Sequence, residues 1–145
     1  MTLAARLTRC PLPFEPDRTS DVRSRFAGKP PEVRALLEGA AGSSPYLAGL
    51  MVREADWLDE VLAGAPEQAT QQVIGDLADL SSDALGPALR RAKARVALLA
   101  GLCDLGGVWT LEEVTGALTA LADRAVDLGL RALVADEIRR GKLPG

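Results

Sequence analysis

Acidic residues at short spacings are the groups in this 145-residue sequence that could do chemistry. Asp76, Asp79 and Asp83 follow one another at steps of three and four, and Glu54 and Asp56 stand two apart. Paired carboxylates can hold a divalent metal ion or exchange protons when they point to the same place. Side chains two positions apart on a helix point in different directions. In addition, two serines interrupt the helix before Asp83. We therefore interpret these residues as solvated charges and a helix cap, and predict no catalytic, cofactor-binding or metal-binding residue.

The densest group of positive charges comprises Arg90, Arg91, Lys93 and Arg95. Apolar residues alternate with them, so the four belong to the polar side of an amphipathic helix. A solvated or ion-paired face is the favoured interpretation. The alternative is contact with an acidic surface, a phosphate or a neighbouring domain, which would make the four residues a docking or regulatory face.

The composition excludes several classes of function. The chain has no histidine, which removes the commonest general base and every Ser–His or Cys–His nucleophile. A net charge of −3 argues against nucleic acid as a partner. No apolar run is long enough for a membrane span, and no secretory signal is visible. We expect Cys103 to be a buried free thiol, and the compartment to be the reducing cytoplasm.

Two long helix-patterned stretches, residues 85–105 and 110–140, must position these side chains. Gly106 and Gly107 join them, and Thr110 with Glu113 has capping-box spacing. Apolar residues at steps of three and four predict one buried stripe on each helix and an antiparallel hairpin. The two predicted stripes are Leu85, Leu89, Ala92, Val96, Leu99 and Cys103, and Leu111, Val114, Leu118, Leu121, Ala125, Leu128, Ala132 and Ala135. We suspect that Leu130, Val134 and Ile138 lie off the stripe and are uncovered, which would allow self-association.

The rest of the chain predicts a lead and several shorter helices. Residues 1–30 contain four prolines and are expected to be extended or poorly ordered, lying over the helices. Residues 31–145 form one helical domain, with a helix over 31–39, a glycine and serine break, and a helix over 46–53 capped by Ser44. Pro66 opens a further helix with Leu80 on its buried stripe, and Tyr46 and Trp57 are expected in the core. The predicted fold class is an all-α, multi-helix bundle with a long C-terminal helical hairpin.

Several segments, taken in order, resemble one protein family. Residues 44–47 (SPYL) and 53–58 (READWL) are similar to its entry helices. Residues 89–95 (LRRAKAR), followed by 104–106 (DLG), are similar to a later helix, and residues 118–123 (LTALAD) to the next one. The family is the bifunctional glutamine synthetase adenylyltransferase and adenylyl-removing enzyme, which regulates bacterial nitrogen assimilation. The resemblance covers roughly residues 31–140.

The resemblance implies a role without implying a catalytic residue here. In that family these helices precede a nucleotidyltransferase domain, which uses Mg²⁺ and ATP in adenylylating glutamine synthetase and in its phosphorolytic reversal. Glutamine and the PII signalling protein are the implied regulators. Since the sequence shows no glycine-rich nucleotide motif or paired aspartates of that kind, we expect this chain to be the non-catalytic, N-terminal helical part, inactive alone. The alternative is a free-standing helical protein-interaction adaptor.

Overall fold

The computed structural model describes residues 1–144, and these residues form helices without any β-strand. Short 3-10 helices cover Ala4–Arg6 and Pro16–Thr19. The α-helices are α1 (Ser20–Arg25), α2 (Pro31–Ser43), α3 (Pro45–Arg53), α4 (Ala55–Leu62), α5 (Pro66–Gly75), α6 (Ser82–Leu105) and α7 (Leu111–Arg139). The predicted all-α class is therefore confirmed. No helix within residues 1–144 combines the length and apolarity needed to cross a membrane.

The helix starts follow local side-chain chemistry. The Ser44 hydroxyl accepts a hydrogen bond from the Leu47 amide at 3.2 Å, with Pro45 as the first residue of α3. The Ser81 hydroxyl accepts one from the Ala84 amide at 3.4 Å, at the start of α6. Thr110 and Glu113 form the predicted capping box of α7. These contacts satisfy amides that lack a partner in the first turn of a helix.

Helices α6 and α7 form the predicted antiparallel hairpin. Gly107 adopts a φ of +67° in the connecting turn, a conformation that glycine reaches without steric conflict. At the far end, Arg139 near the end of α7 donates a hydrogen bond to the Ser82 hydroxyl at the start of α6, at 3.5 Å. The two helices therefore run side by side along the whole length of α6.

Two apolar clusters share α6. The larger cluster joins α2, α3 and α4 to the C-terminal half of α6, where Leu98, Leu99, Leu102 and Cys103 are fully buried. The smaller cluster joins Val73 and Leu77 of the α5 region to Ala92 and Val96 of α6 and Leu121 of α7. Burial raises the pKa of the Cys103 thiol to about 12, in agreement with the predicted free, buried cysteine.

The lead, residues 1–30, is more structured than the sequence predicted. Leu3, Val22 and Phe26 are buried in the larger cluster, and Ser20–Arg25 is helical instead of extended. The Leu3 amide donates to the Gly64 carbonyl at 2.9 Å, and the Thr8 and Arg9 amides donate to the Gly106 carbonyl at 2.8 and 3.0 Å. Buried apolar side chains and hydrogen bonds to turns distant in sequence hold this segment, and neither leaves a local sequence pattern.

Helix α2 passes through Gly39 and Gly42, where the sequence predicted its end. A Cβ atom at Gly39 would overlap the Pro11 carbonyl oxygen, and one at Gly42 would overlap the Pro13 ring. The lead thus lies directly on the α2 backbone. The Glu15 amide donates to the Gly42 carbonyl at 2.8 Å and fixes this approach. The two glycines serve close packing within the helix instead of ending it.

Several residues predicted to be buried are exposed. On α7, Leu111 and Leu118 are 77% and 44% exposed, Ala135 is exposed, and Leu121 is buried. Tyr46 is 56% exposed and Leu80 39%, so neither belongs to the core. Trp57 is half-buried, and the buried aromatic residues are Phe26 and Trp109. The stripe on α7 was predicted from periodicity, which marks an apolar face but does not state whether this chain covers it.

Candidate functional site

An apolar groove runs between α6 and α7. It has a volume of about 580 Å³. Its lining residues are Leu89, Arg90, Lys93, Ala97, Leu118, Leu121, Ala122, Ala125 and Val126. Alanine side chains of both helices, the leucines and Val126 make most of its lining apolar. The two charged residues come from consecutive turns of α6, and both are exposed.

A second depression, of about 590 Å³, lies beside this groove and shares its two cations. Its lining residues are Tyr46, Arg53, Glu54, Arg90, Arg91, Lys93 and Ala94. Tyr46 and Arg53 are seven positions apart and so share one face of α3. The α6 cations were predicted from the sequence, whereas the contribution of Arg53 and the exposure of Tyr46 were not. The seven-residue spacing on α3 was the available signal.

Arg95 and Glu54 anchor α6 to the junction between α3 and α4. The Arg95 guanidinium donates to the Glu54 carboxylate at 2.9 Å and lies 5.1 Å from the centre of the Trp57 ring. Arg91 reaches the same carboxylate at 3.9 Å. The structure thus divides the four predicted cations into two sets. Arg95 and Arg91 face Glu54, whereas Arg90 and Lys93 form no ion pair within residues 1–144.

A separate polar contact holds the lead against the hairpin. Arg6 donates to both carboxylate oxygens of Glu67 at 2.7 and 2.8 Å, and the Trp109 indole donates to the same carboxylate at 2.9 Å. Burial alone would raise the pKa of Glu67, but the hydrogen bonds from Arg6 and Trp109 outweigh it and lower the pKa below its usual value. One guanidinium nitrogen of Arg6 donates to both carboxylate oxygens, and together with the bond from Trp109 these charge-assisted hydrogen bonds tie three segments together.

The acidic residues considered from the sequence do not converge. Asp76, Asp79 and Asp83 are all exposed, and Asp56 forms an ion pair with Arg25 at 3.0 Å. Within residues 1–144, no three His, Cys, Asp or Glu side chains come together as ligands for a metal ion. The surface around α6 and α7 remains the candidate site.

Comparisons with known proteins identify the group to which this chain belongs. A sequence model of the family described as glutamate-ammonia ligase adenylyltransferase matches residues 35–145. Over 118 residues, or 78% of this chain, the sequence is 42% identical to a bifunctional glutamine synthetase adenylyltransferase/adenylyl-removing enzyme of Rhodopseudomonas palustris (strain ATCC BAA-98 / CGA009). Proteins of the same name from Bradyrhizobium sp. (strain ORS 278) and Caulobacter vibrioides are 38% and 34% identical over 90% and 97% of this chain.

The fold and surface define an all-α helical domain with a long C-terminal hairpin and a basic, partly apolar face. The chain belongs to the glutamate-ammonia ligase adenylyltransferase family. It spans only 12%, 14% and 15% of the length of the three relatives named above. No solved structure matches the chain. The resemblance seen in the sequence is therefore confirmed at the level of the family.

Proposed function

We propose that this chain is the N-terminal, non-catalytic helical part of a bifunctional glutamine synthetase adenylyltransferase/adenylyl-removing enzyme. The single observation that carries the proposal is the match of most of this chain to a small share of much longer relatives. A segment of that size, without converging reactive side chains in its described residues, suits a scaffold for the domains beside it. We propose the cytoplasm as its compartment.

The proposed scaffold docks the following nucleotidyltransferase domain through the outer face of α7. Val126, Leu130, Leu133, Val134 and Ile138 are between 38% and 71% exposed on this 29-residue helix. An apolar helix face of this extent is normally covered by protein. The adjacent domain of the same polypeptide is the simplest cover, because it needs no separate association step.

The chemistry of the proposed full-length protein belongs outside this chain. Its reactions would be the ATP-dependent adenylylation of glutamine synthetase and the phosphorolytic removal of the adenylyl group. Mg²⁺ and ATP would be bound by paired carboxylates and a glycine-rich turn of the nucleotidyltransferase domain. Glutamine synthetase would be the substrate and PII a regulator.

The first experiment measures incorporation of labelled AMP into glutamine synthetase. We expect none with the 145-residue chain alone and robust incorporation with a full-length protein that contains it. Measurable incorporation by the chain alone would contradict a non-catalytic role. If the reading frame after residue 145 encodes no nucleotidyltransferase, a free-standing adaptor becomes the better description.

The second experiment tests docking in the full-length protein. Replacing Leu130 and Val134 by serine should loosen the helical part from the nucleotidyltransferase domain, increasing proteolysis between them. The matched control replaces Thr115 and Thr119 by serine. Both residues are exposed on the same helix, so this control should change the proteolysis little. Unchanged proteolysis in the Leu130/Val134 variant would count against this docking surface.

A further inference from the structure

Most, but not all, of the positively charged side chains of this chain form ion pairs with acidic side chains. Of its 17 Lys and Arg side chains, twelve form ion pairs within residues 1–144. The five that do not are Arg9, Arg34, Arg53, Arg90 and Lys93. Arg9 donates instead to the Asp104 carbonyl oxygen at 2.6 Å. In a chain with more acidic than basic residues, cations that form no ion pair are the exception.

Three of these unpaired cations lie on one surface. Arg53, Arg90 and Lys93 line the same depression, with the exposed Tyr46 beside them. Like charges held close together repel one another, and an incoming acidic group would relieve that repulsion. Tyrosine and arginine are also the residues most enriched where proteins bind proteins.

The same two α6 cations border the apolar groove. Arg90 and Lys93 stand on its α6 side, while Leu118, Leu121 and Val126 form its α7 wall. A groove with apolar walls accepts the apolar face of an amphipathic helix, whose flanking residues then meet the rim. A small phosphate ligand fits less well, because the groove is mainly apolar and the adjoining depression contains the Glu54 carboxylate.

We propose that the α6–α7 groove binds an amphipathic helix with an acidic edge, which pairs with Arg90 and Lys93. The helix would be supplied by another part of the full-length protein, so this statement of the partner rests on the proposed function. The relatives named above extend well beyond the matched segment, with 85–88% of their length outside it. The groove shares Val126 with the outer face of α7, but Leu130, Val134 and Ile138 line no part of it.

The test uses the 145-residue chain and two designed helical peptides of about 18 residues, or five turns. Both carry the same leucine face, and one has glutamates along its edge where the other has lysines. Fluorescence anisotropy should show the acid-edged peptide binding about tenfold or more tightly, with an affinity that falls as salt rises. The Arg90→Glu/Lys93→Glu variant should reverse the preference.

Arg34→Glu is the control, because it makes the same charge reversal at an exposed cation outside the groove. It should leave most of the preference in place, and Leu118→Ser should weaken both peptides. Equal binding of the two peptides by the native chain would overturn the proposal. An equal loss of peptide preference in the control variant would do the same. If the Arg90/Lys93 double variant unfolds, Arg90→Ala/Lys93→Ala should bind both peptides equally. Failure here would leave the AMP-transfer result untouched, so the two proposals are tested separately.

Discussion

At the scale of single residues, Gly39 and Gly42 determine how the lead meets the helices. Neither adopts a left-handed conformation, since both lie inside α2. Because neither residue has a side chain, Pro11 and Pro13 can contact the helix backbone. Glycine inside a helix costs about 0.5–1 kcal/mol relative to alanine. That cost is offset here by packing a proline-rich segment that could not join the helix itself.

We predict that Gly39→Ala destabilises the protein by about 1–3 kcal/mol, because the new methyl group displaces Pro11. Gly49→Ala is the matched control, since Gly49 lies within α3 with nothing close to a built Cβ atom. The control should be neutral or more stable by about 0.4–1 kcal/mol. Urea unfolding measures both. Equal effects at the two positions would show that the lead does not rest on α2.

Glu67 is one of the carboxylates that hold the lead, and its ionisation should make this contact depend on pH. Its pKa is lowered in the folded protein, so its contribution to stability is present above the unfolded pKa and is lost as the pH falls through the folded pKa. We expect Glu67→Gln to lower the free energy of unfolding at neutral pH by about 1–2 kcal/mol, towards the low end because the side chain is partly exposed.

The difference between the native protein and Glu67→Gln should close as the pH falls from neutral through the lowered pKa of Glu67, where the carboxyl becomes protonated. Asp59, whose pKa is lowered by Lys29 and Arg25, remains in both proteins and therefore cancels. Denaturant titrations across this range provide the measurement. A difference that stays constant with pH would mean that the ionised form of Glu67 is not the one being stabilised.

At the scale of elements, α6 and α7 differ in how fully the chain covers them. Eight residues of α6 are buried, whereas Leu121 is the one buried residue of α7 within the described chain. The outer face of α7 keeps Leu130 and Leu133 at 59% and 60% exposure. Helix α7 is therefore held by the hairpin turn and by one packed face, while a second apolar face is exposed.

We expect the isolated chain to self-associate through this outer edge at high concentration. Leu130→Ser/Leu133→Ser should restore a monomer in light scattering and leave the unfolding free energy nearly unchanged, because both side chains are already exposed. Leu85→Ser, at a buried position of α6, should instead destabilise the fold. A native chain that stays monomeric would refute this expectation.

Local signals account for the elements that the sequence predicted well. The caps at Ser44 and Thr110 depend on neighbours within three residues, so spacing alone reveals them. The end of α2 was predicted wrongly, because the contact between Gly39 and Pro11 spans distant parts of the chain. The order of the lead likewise rests on distant bonds, such as that from Thr8 to Gly106.

The candidate surface was predicted in part for the same reason. A single α6 segment supplies Arg90, Arg91, Lys93 and Arg95, and the sequence shows them as a cluster. Which of the four remain unpaired depends on Glu54, which approaches from another helix. The contributions of Tyr46 and Arg53 appear when α3 packs beside α6.

At the scale of the whole molecule, α6 ties a large apolar cluster to a small one. The large cluster collects the lead, α2, α3, α4 and residues 98–103 of α6. The small cluster, around Val96 and Leu121, holds α5 and α7. Because protection against local opening follows buried apolar contact, the two ends of the molecule should differ in stability. The less stable end is the one that carries the proposed docking groove.

Hydrogen exchange should therefore show two levels of protection, slow for residues 98–103 and faster for residues 126–139 of α7. Leu121→Ala removes the one buried side chain of α7 and should reduce protection in α5 and α7 by about 2–3 kcal/mol, at the lower end for a buried leucine. The amides of residues 98–103 should change much less. Leu99→Ala, within the large cluster, should lower protection throughout, by about 3–5 kcal/mol. If Leu121→Ala lowered protection equally everywhere, the molecule would open as one unit, and its two ends would not differ in stability.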